Sequence, residues 1–267
     1  MAKTYITRPM NNISEFNSQV DIIVPFYGQY DLVMQLVQSI FRLTRSNYYQ
    51  LILVDDCSLN LDFINNLSIN SQKNSDRVRQ RNVLKTIRHE EQKGFASACK
   101  TGFELGESPY VCFINSDCKI EDSSWLRSMG ETLLKLRSQN VRMVAPMTNN
   151  PLHGDPAQKG YKNFVSEEDV IIGNDSFLSL PCFMCHRELF SKIGGFLKEY
   201  PYCGYEDEEI AARLKKHGFK QAVCRKTFVY HKGGSTIINV LRNNPNLRKV
   251  IEEDNRKRCI EDMKLLK

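Results

Sequence analysis

The chain has 267 residues, of which 41% are hydrophobic and 10% aromatic, and a formal net charge of +6. That length and apolar content suit one large folded domain and exclude a disordered chain, and no run reaches the length of a membrane span. The mild positive charge fits a phosphorylated ligand or an anionic surface but demands neither, and nine cysteines scattered through apolar segments suit a reduced compartment.

Residues 1–18 are polar and mixed and are expected to form a surface arm without the apolar core of a signal peptide. Val20 to Phe26 is an apolar, β-branched run of strand length, followed by a turn at Tyr27-Gly28-Gln29. Leu32, Val33, Leu36, Val37, Ile40 and Phe41 then recur at helical spacing. Leu51 to Val54 is a near-continuous apolar run, the pattern of a parallel strand buried on both faces. Residues 59–82 predict a short helix and a polar connection, and Val83 to Ile87 a third strand. Gly94 opens a small-residue helix through Leu105. A fourth strand follows at Tyr110 to Ile114, an amphipathic helix at Trp125 to Leu136 and a fifth strand at Val141 to Pro146.

The second half is less regular. Residues 147–176 hold several Gly and Pro and predict a long loop or lid. Ser179 to Cys185 reads as extended, and a helix from Arg187 to Ile193 stops at Gly194-Gly195. Asp207 to His217 is a helix closed by Gly218. Gln221 to Cys224 and Thr227 to His231 read as two short strands. From Ile237 the chain is charged and helical, divided at Pro245. The alternation predicts an α/β fold with a mostly parallel sheet flanked by helices. The expected organisation is an arm (1–18), one domain (19–235) with halves at 19–146 and 147–235, and a helical tail (236–267).

Acidic residues stop two of these strands, at Asp55-Asp56 and at Asn115-Ser116-Asp117. Glu206-Asp207-Glu208-Glu209 opens a helix, and His231 ends the last strand. In an open α/β sheet the carboxyl ends of the strands face the ligand crevice. Carboxylates and an imidazole gathered there can hold a divalent ion, a nucleoside diphosphate and a general base, as sugar transfer from a nucleotide requires.

In order and spacing these segments resemble the family 2 glycosyltransferases of the GT-A fold. Ile23-Val24-Pro25-Phe26-Tyr27 is similar to the family's first strand and nucleotide loop, and Val54 to Ser58 to its "VDDGS" segment. Gln92 to Cys99 is similar to "NKGFAAAC", Phe113 to Asp117 to the "LNSD" form of the DXD motif. Gly194-Gly195-Phe196, Gly204 to Asp207 and Val229-Tyr230-His231 are similar to "GGF", "GYED" and "VYH". The resemblance covers roughly residues 20–235 and implies an inverting, metal-dependent transferase.

It implies donor contacts at Pro25, Tyr27, Asp56, Lys93, Gly94, Asn115 and Ser116, with Tyr27 flanking the base and Asp56 bonding it. Asp117 and His231 would hold Mn²⁺ or Mg²⁺. Asp207 would be the general base with Glu206 orienting it, and Gly194, Gly195 and Glu209 would border the sugar and acceptor. The implied donor is a UDP- or dTDP-sugar and the implied acceptor a polysaccharide or surface glycan. Asn115 departs from a strict DXD, so it brings no charge to a metal.

Each motif has a plainer reading. Asp55-Asp56 alone is a solvated turn, Asp117 a cap on a helix after Cys118, the acidic run a favourable first turn, and His231 a satisfied strand-end histidine. Cys182, Cys185, His186 and Cys203 invite a zinc reading, but a second cysteine pair is missing. The basic residues from Arg248 to Arg258 alternate with acids, as on a solvated helix or a dimer contact. Alternatives kept in view are transfer to a hydroxymethylated DNA base, a nucleotidyltransferase, and a non-catalytic sugar-nucleotide or nucleic-acid binding relative. The expected location is the cytoplasm, with a membrane-peripheral position as the variant.

Overall fold

The computed structural model describes residues 16–45, 48–60, 63, 84–151, 154–163, 165–166, 168–173, 175–196, 200, 202–243 and 245–265. Most of the expected N-terminal arm, and most of the short helix and connection expected at 59–82, lie outside the described residues.

The strands are β1 (Val20–Phe26), β2 (Tyr49–Asp55), β3 (Leu84–Arg88), β4 (Tyr110–Ile114), β5 (Cys118–Ile120), β6 (Val141–Met147), β7 (Val170–Ile171), β8 (Cys182–His186) and β9 (Lys220–His231). They form a nine-stranded sheet in the order β3-β2-β1-β4-β8-β6-β9-β5, with β7 also on β9. β1, β2, β3 and β4 are parallel neighbours, β8 runs against both β4 and β6, and β6 is parallel to β9. The reversed β8 thus splices two parallel blocks, and with β5 and β7 running against β9 the sheet is mixed, where a mostly parallel one was expected.

The helices are α1 (Tyr30–Leu43), α2 (Phe95–Leu105), α3 (Trp125–Lys135), α4 (Arg187–Lys192), α5 (Glu206–Lys216) and α6 (Ser235–Asn243). A last helix, α7, runs through Leu247–Lys249, a π turn at Val250–Asp254, and Asn255–Leu265.

All seven residues of β1 are buried, and its side chains divide between two cores. Val20, Ile22 and Val24 join Leu36 and Ile40 of α1 and Trp125 of α3 on one face. Ile23 joins Ala98 and Cys99 of α2 and the Phe113–Phe183–Phe190–Phe196 group on the other. Each apolar face of the sheet is therefore capped by helices, which is why the strands carry apolar side chains on both sides. Gly102 makes the α2 contact possible: a Cβ there would lie 2.4 Å from Cγ2 of Ile23. At the amino ends of the strands, buried Asp21 accepts from Ser108 N (2.9 Å) and Oγ (2.7 Å) and pairs with Arg187 Nη2 at 2.5 Å.

Three features differ from the expectations. The two short strands expected at 221–231 are one strand, β9, which absorbs Arg225–Thr227 as an irregularity between Cys224 opposite Pro146 and Phe228 opposite Met147. Cys118–Ile120, for which no strand was expected and which the plainer reading of Asp117 made a helix, is a strand pairing antiparallel with β9. The 147–176 segment is tied down: β7 pairs with β9, and buried Gln158 exchanges hydrogen bonds with the Ser179 backbone at 2.7 and 2.9 Å. Among the described residues no helix is long and apolar enough to cross a membrane.

Candidate active site

The carboxyl ends of β1, β2 and β4 open onto a cavity of about 410 Å³, within the range of small-ligand sites. Pro25, Tyr27, Asp56, Gly94, Asn115, Ser116 and Asp117 line it, together with Glu206 and Asp207 of α5 and His231 of β9. Residues as far apart in the chain as Pro25 and His231 meet here because the reversed β8 brings the second half beside β4.

Asp56 is 4% exposed and fully engaged. Its Oδ1 accepts from the Lys93 amide at 2.8 Å and lies 2.8 Å from His89 Nδ1, while Oδ2 accepts from the Gly94 amide at 2.8 Å. The carboxylate thereby pins the turn that launches α2. His89 extends this tie, with Nε2 2.9 Å from Thr101 Oγ1 on α2. Gly94 itself has φ +87° and sits against the Tyr202 backbone, where a Cβ would come within 2.6 Å of the Tyr202 nitrogen. Only glycine accepts both that φ and that contact. Asp55, by contrast, faces away: it bonds the Ser58 amide at 2.8 Å and ion-pairs with Arg88.

Asp117 and His231 form the second cluster. Asp117 Oδ1 lies 3.2 Å from His231 Nε2, and Oδ2 accepts from the Ser235 amide at 3.3 Å. Burial would raise the Asp117 carboxyl, but the hydrogen bond and charge of His231, with the Ser235 amide, overcome it and hold the group below its ordinary value. It is therefore a carboxylate. The β5–β9 pairing sets Cys118 directly opposite His231, and Asn149 fixes the histidine backbone by bonding its N–H at 2.8 Å and its carbonyl at 2.9 Å.

Among the described residues, Asp117, Cys118 and His231 bring ligand atoms within 4.8 Å of one another. The separation of Oδ1 and Nε2 is close to the roughly 3 Å edge of an octahedron with bonds of about 2.1 Å. The Asp117 carboxylate and His231 Nε2 fit a divalent cation; Nδ1, across the ring, is buried without a hydrogen-bond partner among the described residues and does not reach the same ion. Cys118 fits it poorly: burial and the Asp117 charge push its thiol well above the ordinary range, and Sγ bonds the Pro181 carbonyl at 3.4 Å. A protonated sulfur is no ligand for a hard ion.

Glu206 and Asp207 open α5 beneath two tyrosines in left-handed backbone, Tyr202 (φ 69°) and Tyr205 (φ 74°). Such conformations are uncommon for residues with a Cβ and cluster at functional sites. Burial raises the Glu206 carboxyl to about 7, against hydrogen bonds that include Gly204 N at 2.6 Å. Burial, and then the neighbouring Glu206 charge, raise Asp207 to about 8 despite the Leu180 amide at 3.1 Å. The second Glu206 oxygen, Oε1, is buried without a hydrogen-bond partner among the described residues. These are two poorly solvated carboxyls, one with an unused acceptor.

The remaining expected residues lie behind this wall. Lys93 meets Asp56 through its backbone. Glu209 is 2% exposed and forms a two-pronged ion pair with Arg213, which also donates to the Ile193 carbonyl just before Gly194-Gly195. The pair links α5 to that glycine turn from the rear.

Sequence reasoning missed the far wall. Ile237 and Val240 of α6 and Ile251 of α7 line the cavity. They belong to an apolar cluster of Val240, Leu247 and Ile251 that also touches Tyr27 and Tyr202. Asn255, wholly buried on α7, donates through Nδ2 to the Cys203 carbonyl at 2.9 Å and so braces the loop before Glu206. The one sequence signal was the apolar spacing of Val240, Leu247 and Ile251 inside a segment dominated by charge.

Several comparisons bear on this arrangement. Residues 21–194 match the family described as Glycosyl transferase family 2, and residues 164–233 match an N-terminal domain of galactosyltransferase. A curated relative, O-antigen biosynthesis protein RfbC of Myxococcus xanthus, is 24% identical over 230 residues. The match covers 80% of this chain but only 17% of that protein's length. Solved structures share the fold. A structure of GalNAc-T7 with UDP, GalNAc and Mn²⁺ gives a TM-score of 0.63 at 16% identity, covering 82% of this chain and 44% of that one. The mannosyltransferase PcManGT of Pyrobaculum calidifontis, with GDP-Man and Mn²⁺, gives 0.57 at 13% identity, covering 94% and 74%. S. aureus TarS 1-349 with UDP-GlcNAc gives 0.55 at 14% identity, covering 82% and 60%. The family match spans more than half of the chain and takes in Asp56, Asp117 and the turn at Gly94, so this protein belongs to glycosyl transferase family 2 and carries the GT-A fold.

Proposed function

We propose that this protein transfers a sugar from a nucleoside-diphosphate donor to an acceptor hydroxyl, by single displacement with inversion. The observation that carries the reading is the pairing of Asp117 with His231 across the same cavity that holds Glu206 and Asp207. A divalent ion held by Asp117 and His231, Mn²⁺ or Mg²⁺, supplies neutralisation of the leaving diphosphate.

The protein's own residues do the rest. Tyr27 flanks the base, and Asp56, through the Lys93–Gly94 turn, fixes the edge of the nucleotide pocket. Asn115 and Ser116 face the ribose. Asp207, in its carboxylate form, takes the acceptor proton as the new glycosidic bond forms. Its raised value makes it a stronger base than a solvated aspartate once ionised. The free Oε1 of Glu206 accepts from a second acceptor hydroxyl and orients it. The Glu209–Arg213–Ile193 tie links α5 to the Gly194-Gly195 turn behind that wall.

UDP- or dTDP-sugars are the donors favoured by the motif resemblance. The TarS and GalNAc-T7 complexes, which carry UDP or UDP-GlcNAc, support UDP, whereas PcManGT carries GDP-Man. The RfbC relative, named for O-antigen biosynthesis, supports a surface glycan as acceptor. All nine cysteines are free, which supports the cytoplasm as the location.

Calorimetry with UDP-, dTDP- and GDP-sugars, with and without Mn²⁺, tests the reading. Metal-dependent binding of one nucleotide, abolished by Asp117→Ala, is the expected result. A well-folded protein that binds none of them defeats it.

A further inference from the structure

A second concavity, of about 190 Å³, lies at the other end of the sheet. It opens where β4 begins at Tyr110, β6 begins at Val141 and the reversed β8 ends at His186. Asn115–Asp117 follow the opposite end of β4, so the length of the strands separates the two cavities.

The wall is basic. Arg137, Arg142 and Lys192 line it, beside His186, whose Nδ1 accepts from the Glu188 amide at 3.3 Å. Among the described residues, neither arginine nor Lys192 has a carboxylate partner, and the one acid on the wall, Glu188, is 91% exposed and 3.8 Å from His186. Arg142 is held in place. Its Nη1 donates to the carbonyls of Arg137 (2.6 Å) and Val141 (3.0 Å), and its guanidinium carbon lies 5.6 Å from the centre of the Phe219 ring. Its Nε and Nη2 have no partner among the described residues. Lys192 Nζ lies 5.4 Å from the same ring.

An aromatic face positions a cation without neutralising it. Several cations around one hollow therefore repel each other and leave a positive potential there, which an anion relieves. A fixed guanidinium with free donors suits a tetrahedral oxyanion, which it can meet with two parallel hydrogen bonds. The volume admits a phosphate group and its first substituent, not a whole sugar nucleotide.

We propose that this concavity is a second binding site, for a phosphate group carried by a soluble molecule or by a lipid headgroup. It is independent of the sugar-transfer reading, since no residue is shared between the two cavities.

The test uses the full chain at low ionic strength without divalent ions. Inorganic phosphate is titrated against chloride at matched ionic strength and followed by thermal shift. Vesicles of phosphatidylglycerol or of phosphatidylcholine are followed by co-sedimentation. The Arg142→Gln/Lys192→Gln double variant is compared with the wild type. Any phosphate bound in the first cavity is common to both and cancels in the difference. The expected result is a phosphate response that weakens about tenfold or more in the double variant. Vesicle binding that is selective for phosphatidylglycerol and lost in the variant identifies a headgroup, and a phosphate response without it identifies a soluble ligand. Arg137→Gln, at an exposed side chain, weakens the response about threefold and keeps the test decisive if the double variant folds poorly. Equal responses in wild type and variants, or no response to either probe, overturn the proposal.

Discussion

Asp117 Oδ1 and His231 Nε2 lie 3.2 Å apart, although the two residues belong to opposite halves of the chain. Two ligands at that spacing can share one ion, so losing either should weaken metal and nucleotide together. Asp117→Asn should reduce Mn²⁺-dependent donor binding by about 100-fold or more, and His231→Ala by about 10- to 100-fold. Calorimetry with metal omitted should show wild type and variants alike. A variant that keeps full metal-dependent affinity would remove its residue from the metal site.

Asp207 gives a prediction in which activity and stability move in opposite directions. Asp207→Asn should leave donor affinity intact and lower transfer by about 10²- to 10⁴-fold. In the wild type, transfer should rise with pH as Asp207 ionises near its value of about 8. The folded group is raised above its ordinary 3.8, so its stabilising contribution is present below that value and is lost as pH climbs towards 8. The variant should therefore melt with the wild type at pH 4 and about 3 °C or more above it at pH 8.5. Differential scanning at the two pH values checks this.

Gly94→Ala places a methyl 2.6 Å from the Tyr202 nitrogen at a φ of +87°. The expected cost is about 2–4 kcal/mol, and the turn that Asp56 pins should shift with it. Urea unfolding and donor titration should both show the loss. Unchanged stability would mean that the α2 turn relaxes freely.

Asn255→Leu removes the donor to the buried Cys203 carbonyl. Stability should fall by about 1–3 kcal/mol. The loop carrying Glu206 and Asp207 would lose its brace, so kcat should fall about tenfold or more while donor affinity stays within about twofold. A proportional loss of both would indicate general loosening instead.

Much of the fold was legible because it depends on short-range patterns. β1, β2 and β4 are apolar runs buried on both faces, and α2 announces itself by Gly94 and small residues. The acids at strand ends were legible for the same reason, since a strand's end fixes where its next residue faces. β5 was not, because three residues of ordinary composition become a strand only when β9 lies beside them. The wall formed by α6 and α7 was hidden by its surface charge: Ile251 and Asn255 face inward from a helix whose other sides are acidic and basic. His89 carried no motif, and its bond to Asp56 follows from the bend after β3. The left-handed tyrosines at 202 and 205 could not be anticipated from local pattern: Tyr202 is held against Gly94, Phe95 and the cluster formed with the C-terminal helix.

The seam that sets Cys118 opposite His231 also puts Asp117 and His231, the pair proposed to hold a metal, on a clock. A ribosome delivers the chain from its amino end, so Asp117 emerges on the order of ten seconds before His231 is made. During that interval the nascent first half displays its acid with no imidazole to complete the pair. On the proposed function, capture of a divalent ion would wait until β9 docks. On that reading, a chain stalled short of that strand would have the carboxylate of the pair and lack its imidazole.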